Sequence, residues 1–291
     1  TINSIKLTKA GTAVNTTEWN LVELFKEGDV SLGSLPAGAT ATFTGLSEVV
    51  LPGGSRTFVA KVRTTVNAVP GHTLRLSVAA TGDVVGSSLI GGTAVGSYLT
   101  FRGLAVATAN TPAAGLIEVS SSDPVVVPVL RFSVSALPTT SVAIGVNSVK
   151  LTAAGTAELG NEKDITAIRL YRDINDDGVF GTDETTSDAG LVGEVVPTSN
   201  EVTFTGAPLK YGGITDLAPT GTAPVALFGV VVVKANATGN RTISLSVAAR
   251  GDVVGAGVST VSTGTATGNT FTTHLSGGPG TLTVSAGDHP P

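Results

Sequence analysis

"LSVAATGDVVG", residues 76–86, returns as "LSVAARGDVVG" at residues 245–255 with a single substitution. Self-similarity of that length within one chain marks a duplicated unit, and it governs how the remaining sequence is read. Working outward, three further stretches recur in the same order. "NSIKLTKAGTA" (3–13) matches "NSVKLTAAGTA" (147–157), and "ATFTG" (41–45) matches "VTFTG" (202–206). "GLIEVSSSD" (115–123) has an echo in "GTLTVSAGD" (280–288). Four ordered matches mean two copies of one domain.

Within each copy, apolar and polar residues alternate over short runs such as "SIKL", "RTFVAKVR", "LRLSVAA" and "ITAIRLYR". A period of two is the pattern of a half-buried strand, and the Gly, Pro, Asn and Asp between the runs supply turns. A composition rich in Val, Thr, Ala, Ser and Gly points the same way. The chain is therefore expected to be all-β: two tandem immunoglobulin-like β-sandwich domains of Greek-key or jelly-roll type. The expected division is residues 1–124 and 125–291, each long enough to bury a core. Only the architecture is implied, because the Cys…Trp…Cys signature of antibody domains is absent.

Composition narrows function by exclusion. A net charge of −5 gives no basic surface for nucleic acid. No stretch of 18 uncharged apolar residues suggests a membrane span, and the chain reads as soluble. The opening "TINSIKLTKAG" lacks the charged-then-apolar pattern of a signal peptide, although it suits the end left after one is removed. There is no cysteine, so disulfides play no part. His72, His274 and His289 have no metal-ligand spacing and read as solvated turn residues. With no acid–base constellation in view, the chain is not expected to be an enzyme.

The offset between copies is 144 residues at Asn3 and Asn147, 161 at Ala41 and Val202, and 169 at Leu76 and Leu245. The second copy has thus gained 17 residues between its first two landmarks, and "RDINDDGVFGTDE" (172–184) falls there. From Asp173 it satisfies D-x-[DN]-x-[DN]-G-x5-E at every defined position. Asp173, Asn175 and Asp177 offer oxygens on alternate residues, and Gly178 permits a sharp turn. This loop resembles the EF-hand and dockerin-type calcium loop over about twelve residues. A strand on either side makes it similar to calcium sites in repeats of bacterial surface adhesins. The resemblance implies Ca2+ held by Asp173, Asn175, Asp177, the Val179 carbonyl, a water at Gly181, and Glu184 through both carboxylate oxygens.

Other short motifs weigh less. "RGD" (250–252) is matched by "TGD" (81–83) in the repeat, so Gly-Asp belongs to a shared turn and Arg250 is incidental. Asn15, Asn236 and Asn240 begin N-x-[ST] sequons, which are glycosylation acceptors or ordinary polar turn residues. The lone Trp19 and three tyrosines offer no evident platform for stacking sugars.

One asymmetry between the copies concerns assembly. The second copy is preceded by "VLRFSVSA" (129–136), an alternating strand, whereas only Thr1 and Ile2 precede "NSIKL" in the first. The first domain is thus expected to begin one strand short, leaving an apolar groove and unpaired backbone. At the far end "GTLTVSAG" (280–287) alternates, with Leu282, Val284 and Ala286 on one face, and it follows the bend-prone "SGGPG". Two readings stay open for it: it completes its own domain, or it enters the first domain of another molecule. Donation of that kind resembles the way pilus-type subunits of bacterial and archaeal surfaces polymerise. The expectation is a secreted, calcium-stabilised subunit of a cell-surface filament whose partner is itself. The alternative is an adhesin or stalk module of a larger surface protein, with cell-surface glycans as partners.

Overall fold

The structure, a computed structural model, describes residues 1–65, 67–87, 92–138, 143–186, 190–206, 218–219, 223–255 and 262–275. Among these residues it is all-β, with four sheets and one short helix, Thr182–Thr186. Among the described residues no helix is long and apolar enough to cross a membrane.

Two of the sheets lie in residues 1–100. One runs in the order Thr40–Glu48, Ile2–Ala10, Thr73–Val78 and Ala94–Val95, and the other in the order Val30–Pro36, Trp19–Lys26 and Phe58–Thr64. They share a core that includes Ile5, Trp19, Val22, Leu24, Phe43 and Leu74. Alternation produces this arrangement: in Trp19–Lys26, Trp19, Val22 and Leu24 are buried while intervening residues are not.

The other two sheets pack the second core. One runs Gly103–Thr108, Val125–Leu137, Val225–Val233, Ile165–Arg172 and Leu191–Val195. Facing it are Leu116–Val119, Phe271–Leu275, Thr242–Val247, Val146–Gly155 and Glu201–Thr205. All pairings are antiparallel except that of Leu116–Val119 with Phe271–Leu275. The strands Gly103–Thr108 and Leu116–Val119 were expected in the first domain, but they pair with strands of the second half. Leu104, Val106, Ile117 and Val119 lie in the second core. Alternation shows that a segment is a strand; which sheet it joins depends on contacts distant in sequence.

The sequence repeat is a repeat of register. Ile2, Ser4 and Ile5 oppose Gly86, Val85 and Val84, and Val146, Ser148 and Val149 oppose Gly255, Val254 and Val253 with the same irregularity. Leu24 opposes Ala60 as Leu170 opposes Gly229, which makes Phe58–Thr64 the counterpart of Val225–Val233. Even the polar anchors match. Lys6 reaches Asp83 at 3.2 Å and Lys150 reaches Asp252 at 3.1 Å, each closing the "GDVVG" turn.

The two counterpart strands have different neighbours. Val225–Val233 lies between Val125–Leu137 and Ile165–Arg172, and all nine of its residues are buried. Phe58–Thr64 pairs with Trp19–Lys26 on one side, and among the described residues nothing pairs with its other edge.

Candidate functional site

The loop after Ile165–Arg172 is seated by aromatic packing. The Phe180 ring meets Tyr171 and Phe228 edge-on, at centroid distances of 5.1 and 5.5 Å. That contact covers the outer face of the sheet, which is why Val225–Val233 is apolar throughout. Tight turns curl the chain: Asp176 and Gly178 both have positive φ, at 54° and 78°. Thr182–Thr186 then forms a helical turn before Leu191–Val195, where the sequence suggested only a passage toward a strand.

The carboxylates divide into two sets. Asp173 and Glu184, the first and last residues of the motif, are turned inward and are 4% and 1% exposed. Asp173 Oδ2 accepts hydrogen bonds from Arg131 Nε at 2.9 Å, Arg131 Nη2 at 2.7 Å and Gly178 N at 3.2 Å. Glu184 Oε2 accepts from Gly181 N at 2.8 Å. The other oxygen of each carboxylate, Asp173 Oδ1 and Glu184 Oε1, is buried without a hydrogen-bond partner among the described residues. Asn175 and Asp177 stay at the surface, where Asn175 Nδ2 donates to Asp177 Oδ2 and to Asp183 Oδ2. Asp177 Oδ1 accepts from Val179 N at 2.7 Å, and the Val179 side chain is exposed.

Among the described residues, no group of three or more His, Cys, Asp or Glu side chains converges closely enough to hold a metal. Two of the expected ligands are thus gathered inward, and Asn175 and Asp177 are spent on hydrogen bonds within the loop. Asp173 Oδ1 and Glu184 Oε1, at the two ends of one oxygen-rich loop, are the oxygens that could hold a hard cation, since a buried carboxylate oxygen with no partner is costly.

Arg131 was not found by sequence reasoning. It lies on Val125–Leu137, 42 residues before Asp173, and it also reaches Asp176 Oδ1 at 3.0 Å. The available signal was one cation inside the otherwise uncharged "VVVPVLRFSVSAL" just before an acidic loop. Its guanidinium leaves Asp173 Oδ1 available while compensating the buried charge.

The second candidate lies in the first half, along the open edge of Phe58–Thr64. A cavity of about 640 Å³ opens there, with Ile5, Leu24, Phe58, Val62, Leu76 and Val84 among its lining. Their counterparts Val149, Leu170, Leu227, Val231, Leu245 and Val253 are buried in the second core. What fills the space in the second half is Val125–Leu137, whose Leu130, Phe132, Val134 and Ala136 are all 0% exposed. The expected interface residues Leu282, Val284 and Ala286 lie outside the described residues, as does His289.

The remaining candidates are placed as follows. Arg250 Nη2 donates to the carbonyls of Asn67 and Ala68 at 3.0 and 2.8 Å, and Asp252 is buried, so the RGD triplet is not displayed. Asn15 is half-buried, Asn236 Nδ2 donates to Ser121 O at 2.9 Å, and Asn240 is exposed at a positive-φ turn. His274 faces Glu118 at 3.2 Å.

His72 is more than a solvated turn residue: its Nδ1 lies 2.9 Å from Glu18, which is 1% exposed. Burial works against ionisation of Glu18, but bonds from His72, Val14 N and Val69 N outweigh it and hold the carboxyl below its ordinary range. Asp164 has the same role in the second half. Burial opposes its charge, and bonds from Glu158 N and Thr238 N prevail. Each half thus has a buried carboxylate tying two turns together.

No protein-family model matches the chain, and no curated protein does. Among solved structures six chains match. One comes from a structure described as manganese lipoxygenase of Gaeumannomyces graminis with a partial structure of zonadhesin of Komagataella pastoris. It is 13% identical, covers 92% of this chain and 82% of its own, and has a TM-score of 0.19. At that score the likeness bears on neither fold nor function.

Proposed function

We propose that this chain is a structural subunit of an extracellular, pilus-like filament, built by β-strand donation between copies of two immunoglobulin-like sandwiches. One observation carries the reading. The first half has a strand-sized apolar groove where the second half, in the same register, holds Val125–Leu137. The occupant is an extended segment of a second copy, and its sequence candidate is 280–287.

The chain itself offers a precedent. Residues that follow the first set of sheets, Gly103–Thr108, Leu116–Val119 and Val125–Leu137, complete the second set. The segment following the second set stands in the same relation to the next subunit. A head-to-tail contact of this type does not close, so it propagates into a fibre. Burying Leu282 and Val284 contributes roughly 3–6 kcal/mol before entropy, and ladder hydrogen bonds along an open seven-residue strand add to it. Such a subunit has no reaction to perform.

Calcium belongs to the same reading. The buried oxygens Asp173 Oδ1 and Glu184 Oε1 would bind it, with Asn175, Asp177 and the Val179 carbonyl turning in to complete the shell and a water at Gly181.

Negative-stain microscopy of the full chain and of a chain lacking residues 276–291 tests the proposal. Uniform fibres from the first and dispersed particles from the second are expected. Fibres from both would refute donation by this segment, and particles from both would favour a binding module.

A further inference from the structure

We infer that Arg131 is the resident cation of the loop 173–184: it holds the loop closed without calcium, and its charge weakens the binding of calcium there. The inference rests on the calcium reading above and concerns how that site is regulated.

Five carboxylates, those of Asp173, Asp176, Asp177, Asp183 and Glu184, fall within twelve residues. Like charges so crowded repel one another unless a cation lies among them. Sheet order supplies one. Arg131 lies opposite Phe228, and Phe228 lies opposite Tyr171, so the three share a face. The guanidinium carbon of Arg131 stands 5.8 Å from the centre of the Phe228 ring, and that ring also receives Phe180 from the loop. The loop closes against the guanidinium: a Cβ at Gly178 would lie 3.5 Å from its carbon.

One side chain thereby gathers two of the five acids. Arg131 Nη2 bridges Asp173 Oδ2 at 2.7 Å and Asp176 Oδ1 at 3.0 Å, and Nε adds a second bond to Asp173 at 2.9 Å. The side chains of Arg131 and Asp173 are 6% and 0% exposed, so solvent screens this pair little. Asp176 stands at the fourth position of the motif, which supplies no calcium ligand. Its carboxylate serves the guanidinium instead.

For calcium, Arg131 has two opposed effects. It fixes the Asp173 carboxylate through Oδ2, leaving Oδ1 to a metal, which favours binding. Its charge repels a divalent ion and already neutralises Asp173, which disfavours binding. The charge prevails, because orientation is secured by other bonds as well. Gly178 N also donates to Asp173 Oδ2 at 3.2 Å, and Asp173 N donates to Ala226 O at 3.0 Å. The buried positive charge comes from Arg131, whereas Arg172, adjacent to Asp173 in the chain, is exposed. Without the guanidinium, Asp173 is buried and uncompensated in the empty loop, but calcium compensates it in the loaded one. Loss of Arg131 thus costs the empty loop more, and by linkage calcium binds more tightly.

Calorimetric titration of the full chain with calcium chloride tests this, comparing the parent with Arg131→Gln and Arg131→Lys. Glutamine keeps a donor without the charge, and lysine keeps the charge without the fork. A neighbouring charge alters proton binding by about one to three powers of ten, so Arg131→Gln should bind calcium at least about tenfold more tightly. Arg131→Lys should stay within about threefold of the parent. In chelator Arg131→Gln should melt below the parent, and calcium should raise its melting temperature by more. Equal or weaker binding by Arg131→Gln would overturn the inference and leave the calcium site standing, with Arg131 only positioning Asp173. Equal tightening in Arg131→Lys would overturn it too. So would an Arg131→Gln chain that stays unfolded in excess calcium, since the ion could not then replace the guanidinium. Calcium heat in Arg131→Gln but not in the parent would refute calcium as the parent's ion and support the role of Arg131. Heat in neither would overturn both.

Discussion

Phe58–Thr64 and Val225–Val233 occupy the same place in the two halves, pair with equivalent neighbours and differ in what lies on the other side. The second is buried at every residue, whereas the first keeps Val59 45% exposed and its Phe58 and Val62 only partly covered. The sequences fit this difference. "VALFGVVVV" is uncharged, while "FVAKVRT" carries Lys61 and Arg63 on the face away from the groove. A strand with an open edge needs charge to resist indiscriminate pairing, and a strand enclosed on both sides cannot accommodate it. In the second half Val125–Leu137 closes the edge, and in the first half the corresponding edge is unpaired among the described residues.

The sharpest way to break this comparison is to spoil the groove without touching the finished core. Val62→Asp places a charge among the groove residues and should abolish fibres. It should change the melting temperature of the unassembled chain little, because Val62 is only partly buried there. Assembly with undiminished yield would show that the groove is not the joint.

A second test compares counterpart leucines by denaturant unfolding. Leu245→Ala, at 0% exposure, should cost about 2–5 kcal/mol. In the unassembled chain Leu76→Ala should cost well under about 2 kcal/mol, because part of that side chain already faces open space. Equal costs would mean that the groove is closed in solution.

A third test separates the halves by calcium. Only the second has the loop, so a chelator should lower its melting temperature and leave the first transition in place. At a hundredfold excess of calcium over Kd the stabilisation is about 2.7 kcal/mol. Glu184→Gln should weaken binding sharply in calorimetry, since one carboxylate oxygen is lost. Absence of calcium heat in the parent chain would remove the ion from the account.

The smallest effect should be shared. Glu18 and Asp164 are held below their ordinary values of 4.5 and 3.8. A depressed carboxyl stabilises the fold above its unfolded pKa and loses that contribution as pH falls through the folded value. The first half should therefore melt at progressively lower temperature as pH drops below about 4.5 and the second as it drops below about 3.8, with Glu18→Gln flattening the response in the first half only. A melting temperature independent of pH in that window would contradict the roles given to these two groups.

The sequence made local features legible and left tertiary ones hidden. The repeats at 76–86 and 245–255 and the alternation of "ITAIRLYR" are properties of adjacent residues, and those stretches correspond to strands with matching register. The motif at 173–184 located the loop, and the inward turn of its first and last carboxylates follows from the hydrogen bonds of Gly178 and Gly181. Arg131 escaped notice because its meeting with Asp173 is made by sheet order. For the same reason the pairing of Gly103–Thr108 with Val125–Leu137 was not legible, and His72 was read without the Glu18 that lies 54 positions away.

The central claim is that a strand from another copy fills the open edge of Phe58–Thr64. Amide hydrogen exchange of residues 58–64, compared between unassembled chain and washed fibres, tests it most directly. Strong protection of these amides is expected on assembly, with those of Val225–Val233 already protected in both states and unchanged. If residues 58–64 exchange as freely in the fibre as in the single chain, no strand has entered the groove and the account is wrong.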